Sequence, residues 1–212
     1  KLNAGPYASI STLLKSIPIV KIPNYAFNNL GELKFKEKAE DWGLKIPSFS
    51  NGAILSDLDL DGDLDYVVNN INDNTFVFEN TLLSKEQKPN YIQLELKGTQ
   101  KNPNALGAKV VLRMNDGQIQ FQEQQLTRGY MSSVDPVLYF GLGNSKKVDA
   151  IEVLWPNGLF SEIQNPELNQ KLSLNQRDAV PAEQITFPLK ERETAYTYQE
   201  VASKYNIQYI YG

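Results

Sequence analysis

The sequence predicts an all-β protein, and three observations carry that expectation. Proline, glycine and asparagine punctuate the chain about every ten residues, with short alternating apolar runs between them. From about Asn90 to Gln176 six or seven strand-like runs follow one another with short turns, the density of a compact antiparallel β-sandwich. Two segments also echo elsewhere in the chain. Phe35 to Leu44 recurs as Tyr198 to Ile207, with aromatics matched and Gly43 answered by Asn206. Tyr25-Ala-Phe27-Asn-Asn29 recurs as Phe76-Val-Phe78-Glu-Asn80, an offset of about 51 residues and about the length of a propeller blade.

In order along the chain, Ala8 to Ile17 after Gly5-Pro6 reads as helical. Strands are expected at Ala53-Ile-Leu55 and Tyr66-Val-Val68. The dense block opens with the alternating run Tyr91 to Leu96. It continues with Lys109–Met114, Gln118–Leu126, Val137–Phe140, Val148–Trp155 and Lys171–Leu174. Asn115-Asp116-Gly117 and Asn157-Gly158 are hairpin turns. Asp178 to Glu193 reads as a polar linker, and Glu193 to Tyr205 as a second helical stretch. The expected divisions are a blade segment at 1–84, a β domain at 88–178, and a linker with the start of a further repeat at 179–212.

Composition excludes several function classes. With 41% apolar and 22% charged residues the chain is ordinary for a globular protein. A net charge of −4, with no basic stripe, argues against nucleic acid as a partner. No cysteine and no histidine are present, which removes thiolate chemistry, the commonest general base and the usual zinc, copper and haem ligand. No apolar run approaches the length of a membrane span.

The strongest signal is Asp57-Leu-Asp59-Leu-Asp61-Gly62-Asp63-Leu-Asp65. Carboxylates at positions 1, 3 and 5 converge only if the chain curls, and Gly62 permits the sharp turn. The carbonyl of Asp63 and the carboxylate of Asp65 can complete an oxygen cage suited to Ca2+. An EF-hand would need an acid at position 12, which is Val68 here, and its flanks would be helices. The bland alternative is an acidic surface turn. Four converging carboxylates without a cation would repel, by about 3 kcal/mol for each pair at 5 Å and an effective dielectric of 20.

These residues resemble a known pattern. Ser50-Asn-Gly52-Ala53, Asp57 to Asp65, Tyr66 to Asn70 and Phe76 to Asn80 resemble an FG-GAP or VCBS repeat, the blade unit of integrin-like β-propellers. Leu106 to Val110, Arg128 to Ser132, Tyr139-Phe-Gly-Leu-Gly143, Val153 to Gly158 and Asn169-Gln170 resemble the ASPIC/UnbV domain. Together they look most like repeat proteins of Bacteroidetes cell envelopes, relatives of the cartilage acidic protein family. The resemblance implies Asp57, Asp59, Asp61 and Asp65 as side-chain calcium ligands, with Asp63 through its backbone. It also implies several blades, so the 212 residues read as a fragment of a longer chain.

Other candidates have plain structural explanations. Trp155, Tyr130 or Tyr139 could stack on a sugar, but large aromatics at strand ends are usually packing. Phe140-Gly-Leu-Gly143 lacks a following helix to receive a phosphate. Gly107 and Gly129 read as bulges or close approaches. Arg113 and Arg128 could form an anion site, with pairing to Glu123 or Asp116 as the alternative. Asn69, Asn70, Asn72 and Asn74 read as turn chemistry.

The expectation is therefore a non-catalytic, calcium-binding, extracytoplasmic binding or scaffold protein, at the cell surface, outer membrane or periplasm. Its partner would be a protein or a glycan, an outer-membrane complex among them. The alternative is a polysaccharide-active enzyme or an accessory domain of one. No catalytic residue is assigned.

Overall fold

A computed structural model describes residues 17–18, 20–82 and 89–182. Apart from Ala182, these belong to one compact unit ending at Pro181. The two expected helices and the echo from Tyr198 lie outside the described residues, except for Ile17 in a bend. The remainder is all-β, as the punctuated alternation predicts.

Among the described residues, seven strands precede residue 80: β1 (Ile22–Pro23), β2 (Phe27–Asn29), β3 (Phe35–Glu37), β4 (Pro47–Ser48), β5 (Ser50–Ser56), β6 (Asp65–Asn70) and β7 (Phe76–Phe78). Eight follow: β8 (Asn90–Lys97), β9 (Lys109–Met114), β10 (Ile119–Glu123), β11 (Val137–Gly143), β12 (Val148–Leu154), β13 (Leu159–Gln164), β14 (Gln170–Asn175) and β15 (Val180–Pro181). A single 3-10 turn, Gln176–Asp178, separates the last two.

In the first part, β5, β6 and β7 form an antiparallel meander, while β2 pairs with β3 and β1 with β4. Little is buried there. Ala39 and Val68 are its only buried apolar residues among those described, whereas Tyr25, Phe27, Leu33, Phe35, Trp42 and Val77 are exposed.

The second part holds the core. A five-stranded antiparallel sheet in the order β10-β9-β12-β13-β15 faces a three-stranded sheet in the order β11-β8-β14. Burial alternates along β8 and β11, whereas β9 and β12 are buried on both faces in their middles. Ile92, Leu94 and Leu96 of β8, Val110, Leu112 and Met114 of β9, and Ile151 and Val153 of β12 all enter one cluster with Phe140 and Trp155. Trp155 is 1% exposed and donates its indole N–H to Ser161 Oγ at 2.8 Å. It is a core residue with a satisfied polar end, as expected for a buried tryptophan.

The expected strands are found, with three differences. The sheet is not wholly antiparallel, because β14 runs parallel to β8 from Gln170 beside Ile92 to Asn175 beside Lys97. Asn169 sets that pairing: its N–H reaches Tyr91 O at 2.8 Å, and its Oδ1 accepts the Tyr91 N–H at 3.0 Å. The strand β13 follows the Asn157-Gly158 turn although Ser161 and Glu162 make it look polar. Val180–Pro181 pairs with Leu159–Phe160 on β13, so part of the expected linker belongs to the sheet.

One seam joins the two sheets through side chains. Gln120, Gln122 and Gln124 donate their amides to the carbonyls of Gly141, Tyr139 and Pro136, at 2.8, 2.7 and 2.7 Å. Their spacing of two, along β10 and one residue past its end, makes all three face the same way.

Candidate metal centre

The loop 57–64 connects β5 to β6, whose register closes with Ser56 opposite Asp65. Its curl is held by its own aspartates. Asp57 Oδ2 accepts the Gly62 N–H at 3.2 Å, Asp59 Oδ1 accepts that of Asp61 at 3.2 Å, and Asp61 Oδ1 accepts that of Asp63 at 3.1 Å. Such side-chain to backbone turns are what aspartate offers in place of a ladder. Gly62 lies at φ +103°, and a Cβ there would stand 2.2 Å from the Tyr91 ring. Only glycine meets both demands.

This curl gathers Asp57, Asp59 and Asp61, each with a carboxylate oxygen within 4.8 Å of the others. Leu58 and Leu60 point to solvent instead. Asp65 stands outside that triad. It is 3% exposed, and its two oxygens accept the N–H groups of Leu58 at 2.9 Å and Asn80 at 2.8 Å. It therefore braces the base of the loop. Asp63 contributes its N–H to the curl, and its carbonyl is the backbone group expected to face a cation.

An oxygen-seeking cation fits this donor set. Asp57 Oδ1 is buried and has no hydrogen-bond partner among the described residues. A carboxylate oxygen taken from water without a donor costs free energy unless a cation meets it. The all-oxygen set, with no nitrogen or sulfur ligand, suits a hard ion such as calcium.

The loop also rests against the second part of the chain. Gln93 Nε2 donates to Asp57 Oδ2 at 3.0 Å, and the Tyr139 phenol lies close to Asp57. Burial, with Asp135 and Asp57 nearby, pushes the Tyr139 phenol up to about 12. Burial, with Asp57 and Asp61, also raises Tyr91. Both phenols stay neutral beside the acids. The spacing of the aspartates marked the loop, but nothing in the sequence linked Gln93 or Tyr139 to it, since they arrive from distant strands.

The remaining candidates resolve into structure. Arg113 forms a two-pronged ion pair with Glu152, Nε to Oε1 at 2.6 Å and Nη2 to Oε2 at 3.0 Å, not with Glu123 or Asp116. The two residues lie diagonally on the outer face of β9 and β12, a relation that requires knowing the register. Arg128 reaches Gln125 at 3.3 Å. Phe140 and Leu142 are core residues within β11, which bulges between Gly141 and Gly143. Gly107 and Gly129 have open space around them and positive φ, so they serve turns and not close approaches. Asn70 donates to Asn74 O at 2.6 Å, the turn role expected of that asparagine cluster. Tyr130 is exposed on its loop.

A two-sheet β domain with an acid-lined loop docked on its smaller sheet is the class that fold and site define. Residues 98–181 match the family described as ASPIC and UnbV, and the chain carries that domain. No curated protein matches the chain.

Proposed function

We propose that this chain is a non-catalytic, calcium-binding module that serves extracytoplasmic recognition or scaffolding, its first part being an FG-GAP or VCBS-type blade segment joined to the ASPIC/UnbV domain. The observation that carries the proposal is the convergence of Asp57, Asp59 and Asp61 within 4.8 Å around a glycine turn. Those three side chains and the Asp63 carbonyl would hold the ion, with Asp65 as brace. The ion would supply charge neutralisation that fixes the turn between β5 and β6.

A binding role suits the other features. Without histidine or cysteine, catalysis would fall to carboxylates, and the densest group of them is committed to the loop. The exposed Tyr25, Phe27, Phe35 and Trp42 give the blade segment apolar faces of the kind that further blades cover. No helix among the described residues is long and apolar enough to cross a membrane. The partner proposed is a protein or glycan of the cell surface.

The test is titration calorimetry of the full chain with calcium, magnesium and zinc. One calcium per chain, bound more tightly than magnesium, is expected, with a higher melting temperature in calcium than in chelator. No calcium uptake by the folded chain would overturn the assignment.

A further inference from the structure

The three-stranded sheet β11-β8-β14 has two faces with different duties. Ile92, Leu94 and Leu96 of β8 are buried in the core, so Tyr91 and Gln93 project from the opposite face. The register of β8 with β11 places Tyr139 beside Gln93. Two of these side chains meet the acid loop, Tyr91 at Gly62 and Gln93 at the Asp57 carboxylate, with Tyr139 close to Asp57.

Their effect falls on one ligand. Asp57 Oδ2 accepts two donors, the Gly62 N–H from within the loop and the Gln93 amide from β8. Two donors on one oxygen fix the rotation of the carboxylate about its final bond. They leave Oδ1, buried and without a hydrogen-bond partner among the described residues, as the oxygen free to meet a cation. The Tyr91 ring closes over Gly62 and limits the turn that presents Asp61.

We propose that the cation site is a composite of two parts of the chain, in which Gln93 on β8 is the positioning residue for the ligand Asp57 and Tyr91 fixes the Gly62 turn. This rests on the calcium assignment above. It adds that the loop is shaped for a cation only while docked on the outer face of the β8–β11 pair. Residues outside the ligand set that orient the ligands commonly change metal affinity by about 10–100-fold when replaced.

The experiment is calcium titration of the full chain and three variants, with melting temperatures in chelator as a measure of folding. Gln93→Met keeps the side chain's length and removes the amide donor. It should weaken calcium binding by about tenfold or more while leaving the chelator melting temperature nearly unchanged. Tyr91→Leu should also weaken binding, and it carries the test if Gln93→Met does not fold. Ser132→Ala removes a different contact between the two parts, the Ala53 N–H to Ser132 Oγ bond of 3.2 Å, and should bind calcium as the parent does. If the parent binds calcium and Gln93→Met binds it equally well, the composite site is wrong and the calcium assignment stands. If Ser132→Ala weakens binding as much as Gln93→Met, general docking and not positioning is responsible, and the proposal falls. A parent that takes up no calcium removes both.

Discussion

Replacing Asp59 with Asn should shift the melting temperature in opposite directions with and without calcium. The substitution is nearly isosteric and keeps the Oδ1 that accepts the Asp61 N–H at 3.2 Å, so the turn survives and only the charge changes. In chelator, three carboxylates within 4.8 Å of one another make three repulsive pairs, and the variant removes two. At that separation each pair costs about 3.5 kcal/mol at an effective dielectric of 20 and about 1 kcal/mol in bulk water. Asp59 and Asp61 are exposed, so the watery end applies and salt reduces it further. The expected gain is about 1–2 kcal/mol, a rise of a few degrees for a chain of this size. In calcium at about 100 times the dissociation constant, binding stabilises the parent by about 2.7 kcal/mol. A variant short of one charged ligand loses most of that and should melt below the parent. Differential scanning calorimetry of both proteins in each medium is the assay. A shift of the same sign in both media would refute the reasoning, because repulsion and ligation must then not involve the same three groups.

Two further outcomes rest on the second part of the chain. Arg113→Met strands the Glu152 carboxylate, whose side chain is only 12% exposed. It should lower stability by about 3 kcal/mol, the low end of the range for broken buried pairs, since a third of Arg113 meets water. Arg113→Met with Glu152→Met should recover most of the loss in urea midpoint. Tyr139, pushed up to about 12 in the fold, titrates near 10 once unfolded. Its contribution to stability is therefore complete below pH 10 and is lost as pH rises toward 12. In chelator, the urea midpoint of Tyr139→Phe should fall less steeply over that interval than the parent's.

What the sequence disclosed follows the range of the interactions involved. Strands β8 and β11 were legible because alternating burial is a local pattern, β9 and β12 because they are apolar runs between turns, and Asn115-Asp116-Gly117 and Asn157-Gly158 were legible because turn chemistry is local. The aspartate triad was legible for the same reason, since its spacing is its mechanism. The parallel pairing of β14 with β8 was not, because it depends on Asn169 meeting Tyr91 from far along the chain. The diagonal ion pair of Arg113 and Glu152 needs the β9–β12 register. The sequence cast Asp65 as a fourth side-chain ligand, and only the structure shows its two oxygens accepting the Leu58 and Asn80 amides at the base of the loop.

The seam of Gln120, Gln122 and Gln124 has a consequence for how this domain behaves in company. Strands β10 and β11 each lie at one edge of their sheets, and open strand edges recruit other chains into mispaired, aggregating assemblies. The three amides occupy the carbonyls of Gly141 and Tyr139 on β11 and of Pro136 just before it, so an intruding strand would find those acceptors already engaged. Charged gatekeepers do the same work by repulsion, which weakens in salt and changes with pH. Uncharged amides do it by occupancy, and that protection should persist across both.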